Sequence, residues 1–357
     1  MKNLKPRLHN RVNREVLKQR ALDSHETRKT VSFYRYHQIA DVPKFRDKLY
    51  QLLQEVGVFG RIYVASEGIN AQISVAESNF DAFQNRLYSI DWLDGVRLNV
   101  AVEEKNNSFY LLKVKIRPKI VADGLEDQTF DVTQRGKHVG AKEFNELVSD
   151  PNSIVIDFRN HYESEVGRFD HAVTPEVETF RESLPLIEEF LHQQNAFGDD
   201  QKNLVMYCTG GIRCEKASAY FRHKGFKNVF QLDGGIINYA KQVEAEGLEN
   251  KFRGVNFVFD ERLGERISDD VVANCHQCGQ PADVHINCAN AACHLLFIQC
   301  DACREKYESC CSNKCKNFNH LSEAERETLK PNLVFNGSKR GENRHKSHRG
   351  TRLIDVN

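Results

Sequence analysis

The chain has 357 residues, with 50 Lys and Arg balanced by 50 Asp and Glu and 40% hydrophobic residues. That is the composition of a globular protein of two or three domains, and zero formal charge excludes an overall basic field as the source of any nucleic-acid affinity. No apolar run approaches the ~18 residues of a membrane span and the N-terminus has no apolar signal core, so a cytoplasmic protein without membrane attachment is expected.

Residues 1–29 read as a basic arm, in which Arg7, Arg11, Arg14, Lys18, Arg20, Arg28 and Lys29 outnumber Glu15, Asp23 and Glu26. Val12, Val16 and Leu17 mark one face of a short helix; the charge run is a solvated arm or a phosphate contact. Residues 30–117 have the pattern of a small α+β module. Val31 to Tyr36 alternates like a strand, and Phe45, Leu49, Leu52, Leu53 and Val56 follow Pro43 at helical spacing. Strand-like runs at 58–65 and 69–75 flank the turn Ser66-Glu67-Gly68. A helix at 77–89 and a strand at 96–100 complete the ferredoxin-like (acylphosphatase-like) order. A further strand at 108–116 carries Lys113 and Lys115, with Arg117 next on the alternation. Tyr34 and Tyr36 read as half-core packing or as platforms for stacked bases, and the fold alone does not establish RNA binding.

Turn residues mark 118–140 as a linker, after which strands and helices alternate over 141–246. Helices are expected at 141–148, 179–193, 214–224 and from Gly235 to about Glu246, with strands at 153–159, 203–207 and 229–232. Such alternation predicts a parallel sheet with helices on both faces. The central strand ends in Cys208-Thr209-Gly210-Gly211-Ile212-Arg213-Cys214. Strand, Cys, glycine turn and helix start form a nest of N–H groups at a positive helix end, and Arg213 adds a full charge. Cys208 is therefore the candidate low-pKa nucleophile, and Thr209, Gly210, Gly211, Ile212 and Arg213 its active-site loop. Four residues separate Cys208 from Arg213, one fewer than in the Cys-x5-Arg loop of a cysteine phosphatase, and the tighter loop suits a terminal sulfur better than a phosphoryl group.

This loop resembles that of rhodanese domains, in which the Cys carries a persulfide. The resemblance covers 141–246 and includes Asp157-Phe158-Arg159, Glu163, Gly167 (followed by Arg168-Phe169 in place of the usual His-Ile) and Asp233-Gly234-Gly235. Asp157, Arg159 and Glu163 are expected to form ion pairs beneath the loop, not to act in catalysis.

Nine of the eleven cysteines fall between Cys275 and Cys315. Without a signal peptide that clustering favours metal over disulfides, and 247–320 reads as a Cys-rich zinc module. Cys275, Cys278, Cys300 and Cys303 make two Cys-x2-Cys knuckles of a four-thiolate zinc site. A second, interleaved site would use Cys288, Cys293, Cys310 (or its neighbour Cys311) and Cys315. All-thiolate ligation means structural zinc; the alternative is free thiols. Residues 321–357 are a basic, disordered tail from Ser338 on, carrying Lys339, Arg340, Arg344, Lys346, Arg349 and Arg352.

Nearly end to end, the chain resembles the bacterial tRNA uridine(34) hydroxylases, which contain a rhodanese domain. The stretches that carry the resemblance are Leu8 to Arg11, Phe59 to Ser74, Tyr207 to Lys216, Phe257 to Arg266 and Cys275-His276-Gln277-Cys278. It implies oxygen-dependent conversion of the wobble uridine of tRNA to 5-hydroxyuridine, with molecular oxygen as co-substrate, an unidentified electron donor and Cys208 as the essential cysteine. Two roles stay open for that cysteine. One is attack on C6 of uracil; the other is a persulfide that supplies reducing equivalents, with Cys214 as a possible resolving thiol. The sequence carries no flavin, dinucleotide or iron-triad motif. The residues by themselves equally fit a persulfide sulfurtransferase acting on tRNA or protein acceptors, and a noncatalytic RNA-binding adaptor is a third class that the intact loop disfavours.

Overall fold

The computed structural model describes residues 12–24, 26–102, 108–125, 130–330, 333–337, 344–345 and 355–356. After helix α1 (Arg14–Asp23), the first domain runs β1 (Arg28–Tyr36), α2 (Val42–Glu55), β2 (Phe59–Ala65), β3 (Gly68–Ala76), α3 (Phe80–Tyr88), β4 (Asn99–Val100) and β5 (Leu112–Ile116). The sheet order is β4-β1-β3-β2-β5, antiparallel except for β5 beside β2, which is the ferredoxin-like arrangement with one added edge. Asp41 caps α2 by accepting from the Lys44 amide at 2.9 Å, and Pro43 occupies its first turn.

Strand alternation decides the rest of this domain. Val31, Phe33, Ile62, Val64, Ile73 and Val75 point to one face and are buried with Leu49, Leu53, Phe83 and Leu87 of the two helices. Each such side chain contributes ~1.5–3 kcal/mol when removed from water. The other face carries no helix of its own domain and presents Ser32, Tyr34, Arg61, Tyr63, Asn70 and Gln72. A sheet with one polar, uncovered face is a surface made to meet something else.

The second domain comprises β6 (Lys137–Val139), α4 (Ala141–Ser149), β7 (Ser153–Asp157), α5 (His161–Glu165), β8 (Gly167–Phe169), β9 (Val173–Thr174), α6 (Phe180–Gln193), β10 (Asn203–Tyr207), α7 (Ile212–His223), β11 (Asn228–Leu232) and α8 (Gly235–Glu246). Strands β9-β7-β10-β11-β6 form a parallel sheet. Leu204 and Met206 face the core under α6 and α7, Val205 and Tyr207 the core under α4 and α8. A strand buried on both faces must be apolar throughout, which is why Leu204 to Tyr207 reads as an uninterrupted run.

Three elements depart from the sequence reading. Residues Lys137–Val139, inside the stretch read as a linker, form the sheet's edge strand. Pairing of β8 with β12 (Phe252–Asn256) joins the second domain to the C-terminal part, a long-range match that local periodicity does not carry. Within the tail read as disordered, Arg344 bridges to Leu296, and β16 (Asp355–Val356) pairs antiparallel with β9. The open edge of a sheet offers unpaired backbone groups, so even a two-residue segment of suitable register is captured. Residues 1–11, 338–343 and 346–354, with most of the cationic arm and tail, lie outside the described residues.

The C-terminal part holds β13 (Glu265–Arg266), the hairpin β14 (His285–Asn287) and β15 (Leu296–Ile298), and the helices α9 (Asp301–Tyr307), α10 (Asn313–Asn319) and α11 (Glu323–Leu329). It docks on the second domain through His276. The Ile298 amide donates to His276 Nδ1 at 3.2 Å, so Nε2 carries the proton and donates to Glu165 at 2.9 Å. Among the described residues no helix is long and apolar enough to cross a membrane.

Candidate functional site

Cys208 follows β10 directly and is fully buried. Helix α7 starts at Ile212, two residues earlier than the sequence suggests, because Gly211 takes a left-handed conformation (φ 99°) as its N-cap. That turn aims the Gly211 amide at Cys208 Sγ, 3.2 Å away. A side chain at Gly211 would also meet the Tyr34 hydroxyl at 2.8 Å, so both backbone and space demand glycine there. The second required glycine is Gly235 (φ 67°), where a Cβ would lie 2.5 Å from the Cys208 carbonyl oxygen. That carbonyl accepts from the Ile236 amide at 3.1 Å, which fixes the loop from below.

Burial alone raises a thiol's pKa. Here the Cys214 thiol, the Arg213 charge and the Cys214 and Arg213 amides outweigh it and bring Cys208 down to about 6. Cys214 goes the other way: burial, then the neighbouring Cys208, hold it as a thiol far above the usual range. Arg213 does not stand free above the sulfur. Its Nη1 and Nη2 donate to Glu163 Oε2 and Oε1 at 2.7 and 2.8 Å, and Nη2 also reaches Thr209 Oγ1 at 3.3 Å. Burial pushes the Glu163 carboxyl up, but Arg213 more than offsets this and holds it below the carboxylate range. Beneath lies a second buried pair, Arg159 with Asp157 at 2.6 Å, whose Nη2 also donates to the Gly167 carbonyl at 2.5 Å. Asp157, Arg159 and Glu163 thus form the ion pairs expected under the loop, with Glu163 serving Arg213.

Above the loop the two domains meet. The Tyr34 hydroxyl donates to Glu215 Oε1 at 3.0 Å and the Tyr36 hydroxyl to the Ile212 carbonyl at 3.5 Å, so both tyrosines clamp α7 against the first domain. Lys216 bonds Glu67 at 2.7 Å and also Asp123, and Arg97 pairs with Asp233 at 2.5 Å. Asn99 Nδ2 donates to the Gly210 carbonyl at 3.5 Å. From the C-terminal part, the Phe259 carbonyl accepts from Arg61 at 2.7 Å and Glu265 Oε1 from the Val102 amide at 3.1 Å.

These contacts enclose a cavity of about 560 Å³ with Cys208, Thr209, Gly210 and Arg213 on one side. The opposite wall is the uncovered face of the first sheet, including Ser32, Tyr34, Arg61, Asn70 and Gln72. Phe259 and Arg262 close a third side. Sequence reasoning found the cysteine loop but not this wall. The available signal was the run of uncharged polar residues at period two in β3: Asn70, Gln72 and Ser74.

The nine remaining cysteines form two groups and one outlier. Sulfurs of Cys275, Cys278, Cys300 and Cys303 lie within 4.8 Å of one another, as do those of Cys288, Cys293, Cys311 and Cys315. The Cys278–Cys300, Cys293–Cys311 and Cys311–Cys315 separations are 3.6, 3.7 and 3.7 Å. Tetrahedral bonds of ~2.3 Å put neighbouring sulfurs ~3.8 Å apart, so both groups have the dimensions to hold one metal ion each. In the second group the position expected for Cys310 is taken by Cys311. Consecutive side chains diverge: Cys310 turns into the local apolar core and accepts from Asn319 Nδ2 at 3.5 Å, leaving Cys311 aimed at the cluster.

Family matches divide the chain along the same lines: a UPF0176 acylphosphatase like domain at 28–120, a rhodanese-like domain at 140–242 and a rhodanase C-terminal region at 253–316. Curated relatives match over most of their length. The tRNA uridine(34) hydroxylase of Sodalis glossinidius is 54% identical, covering 87% of this chain and 88% of its own. The proteins of the same name from Pectobacterium atrosepticum and Yersinia pestis are 52% and 51% identical, each covering 94% of both chains. Agreement in all three parts, at this identity and nearly full length, places the chain in the tRNA uridine(34) hydroxylase family.

Proposed function

We propose that this protein hydroxylates C5 of the wobble uridine of tRNA, with Cys208 as the catalytic thiolate. The observation that carries this reading is the cavity of about 560 Å³ joining a low-pKa cysteine to a polar sheet face. A persulfide relay needs space for one extra sulfur atom, whereas this volume holds a whole nucleoside. It is this excess that favours a base in the site over simple sulfur transfer.

In this reading the Cys208 thiolate adds to C6 of uracil, forming an S–C6 bond and placing the electron pair at C5 and the C4 carbonyl. C5 then takes one atom of molecular oxygen. Loss of the C5 proton and departure of Cys208 restore the C5–C6 double bond. The second oxygen atom leaves as water, which needs two electrons and two protons from a reductant. Cys214 donates its thiol hydrogen to the Cys208 thiolate; as a resolving thiol for a Cys208 persulfide it would act only once the charge on Cys208 is gone. Thr209, Gly210, Gly211 and Ile212 shape the loop, and Arg213 supplies the positive charge. The anticodon backbone meets Lys113 and Lys115 on the exposed edge strand β5 and Arg117 just after it, beside Arg61 and Tyr63 of the cavity wall.

The test is mass spectrometry of nucleosides from unmodified tRNA incubated under air with the protein and a thiol reductant. A gain of one oxygen at uridine 34 is expected. A gain of sulfur instead would replace the reading with sulfurtransferase, and no product would remove the enzyme assignment.

Zinc in the two thiolate clusters fits the donor sets, Cys275, Cys278, Cys300 and Cys303 for one and Cys288, Cys293, Cys311 and Cys315 for the other. Four thiolates leave no open position, so the role is to fold the module. Metal analysis should give about two equivalents per chain. Cys311→Ser is expected to lose one of them and Cys310→Ser neither; the reverse pattern would reinstate Cys310 as ligand.

A further inference from the structure

Sheet register and side-chain hydrogen bonds together specify which edge of a base the cavity wall can read. Ser32 pairs across the sheet with Gln72, and Gln72 with Arg61, so the three stand in a row on the cavity face. The row begins at the cysteine loop: a Cβ on Gly210 would lie 3.8 Å from Ser32 Oγ. Gln72 is thus one strand spacing, ~4.8 Å, from a residue touching that loop, and Arg61 one spacing further.

Two hydrogen bonds fix the orientation of the Gln72 amide. Asn70 Nδ2 donates to the Ile120 backbone carbonyl at 3.1 Å, which can only accept. Asn70 Oδ1 must then face the other way, where Gln72 Nε2 donates to it at 2.8 Å. Gln72 Oε1 is left as an acceptor with no partner among the described residues. Beside it, Arg61 Nε is buried with no hydrogen-bond partner among the described residues, its Nη2 being held by the Phe259 carbonyl. The buried Arg61 Nε–H is costly to leave unsatisfied, and with the free Gln72 acceptor on the cavity face beside it the two offer a ligand one donor and one acceptor.

Resting on the function proposed above, we infer that Gln72 and Arg61 recognise the Watson–Crick edge of the base: Gln72 Oε1 accepts from uracil N3–H, and Arg61 Nε–H donates to the C4 carbonyl. In a pyrimidine ring N3 lies opposite C6. A base presenting C6 to Cys208 therefore turns N3 away from the cysteine loop, toward the far end of the row. Cytosine fits neither group, because its N3 is an acceptor and its C4 carries an amine. The pair therefore selects uracil over cytosine by leaving both of its own groups unsatisfied with cytosine. This also gives a purpose to the stretch Phe59 to Ser74, which the cysteine chemistry does not use.

The experiment measures binding of anticodon stem-loops carrying uridine, N3-methyluridine or cytidine at position 34 to the full chain, in wild-type protein and in Cys208→Ser. Both are expected to prefer uridine by ~10–100-fold over the other two, independently of turnover. In Gln72→Leu the preference should collapse to about 2-fold, and unfolding curves separate this from misfolding. Wild-type protein that binds the three stem-loops equally overturns the inference and leaves the proposed function standing. So does Gln72→Leu that is folded and still discriminates. Absence of both stem-loop binding and uridine oxidation overturns the two together.

Discussion

Cys208→Ser is expected to lower oxygen incorporation into uridine 34 by ~1,000-fold or more, because it removes the nucleophile and not merely one of its supports. The surroundings of Cys208 are set for an anion: a 3.2 Å contact from the Gly211 amide, Arg213 nearby and the Cys214 thiol. A serine hydroxyl fits that space but stays neutral, since its own pKa lies far above anything the loop can offset. The same argument gives the pH dependence. The acid form of Cys208 is the thiol, and its pKa is lowered to about 6. Activity should therefore rise with pH through about 6 and be level above it, until another group titrates. A rate profile with no limb near pH 6 would mean that the Cys208 thiolate is not the attacking species. In the serine variant this limb should vanish with the activity, while stem-loop binding is retained.

How much of the molecule was legible in the sequence depends on how local the cause was. The Cys208 loop could be read because strand, glycine turn and helix start are consecutive in the chain and their electrostatic result comes from their order. The ferredoxin-like and parallel-sheet domains were legible from alternation and helical spacing for the same reason. Partners distant in sequence could not be read. Arg213 meets Glu163, 50 residues away, and Tyr34 meets Glu215, 181 residues away. Nothing in the local pattern says that the open face of the first sheet forms one wall of a cavity over the cysteine. The choice between Cys310 and Cys311 failed on a different ground. Adjacent cysteines have the same spacing to every partner within one residue, and only the turn of the backbone decides which of them faces the cluster. The short strand Lys137–Val139 was missed because three residues carry too little alternation, and their identity as an edge comes from pairing with β11.

Glu163→Gln should cost ~3 kcal/mol of stability at neutral pH, because it leaves the Arg213 guanidinium buried against a neutral amide. The sign of the pH dependence comes from the carboxyl's lowered pKa. Its ordinary value is 4.5, and in the folded chain it lies below that. The ion pair therefore contributes fully above pH 4.5 and is lost as pH falls through the folded value. The deficit of the variant should be constant from neutral pH down to about 4.5 and shrink below it, as the wild type loses the same interaction. Chemical denaturation at several pH values checks this; a deficit unchanged by acid would mean that steric misfit, not charge, is responsible. Stability and activity can then be separated by removing both charges. In Glu163→Met/Arg213→Met the pair is removed as a unit, so neither the guanidinium nor the carboxylate is left buried alone, and well-packed apolar replacements of a buried pair are often neutral in stability. The double variant should regain most of the lost stability yet not the activity of the wild type. Without Arg213 the Cys208 thiolate loses one of the causes of its depressed pKa, so the acid limb of whatever rate remains should move from about 6 toward the ordinary thiol range. Recovery of both stability and a limb near pH 6 would show that the pair only braces the loop. Recovery of stability alone assigns Arg213 to holding the sulfur charged, with Glu163 as the group that makes its burial possible.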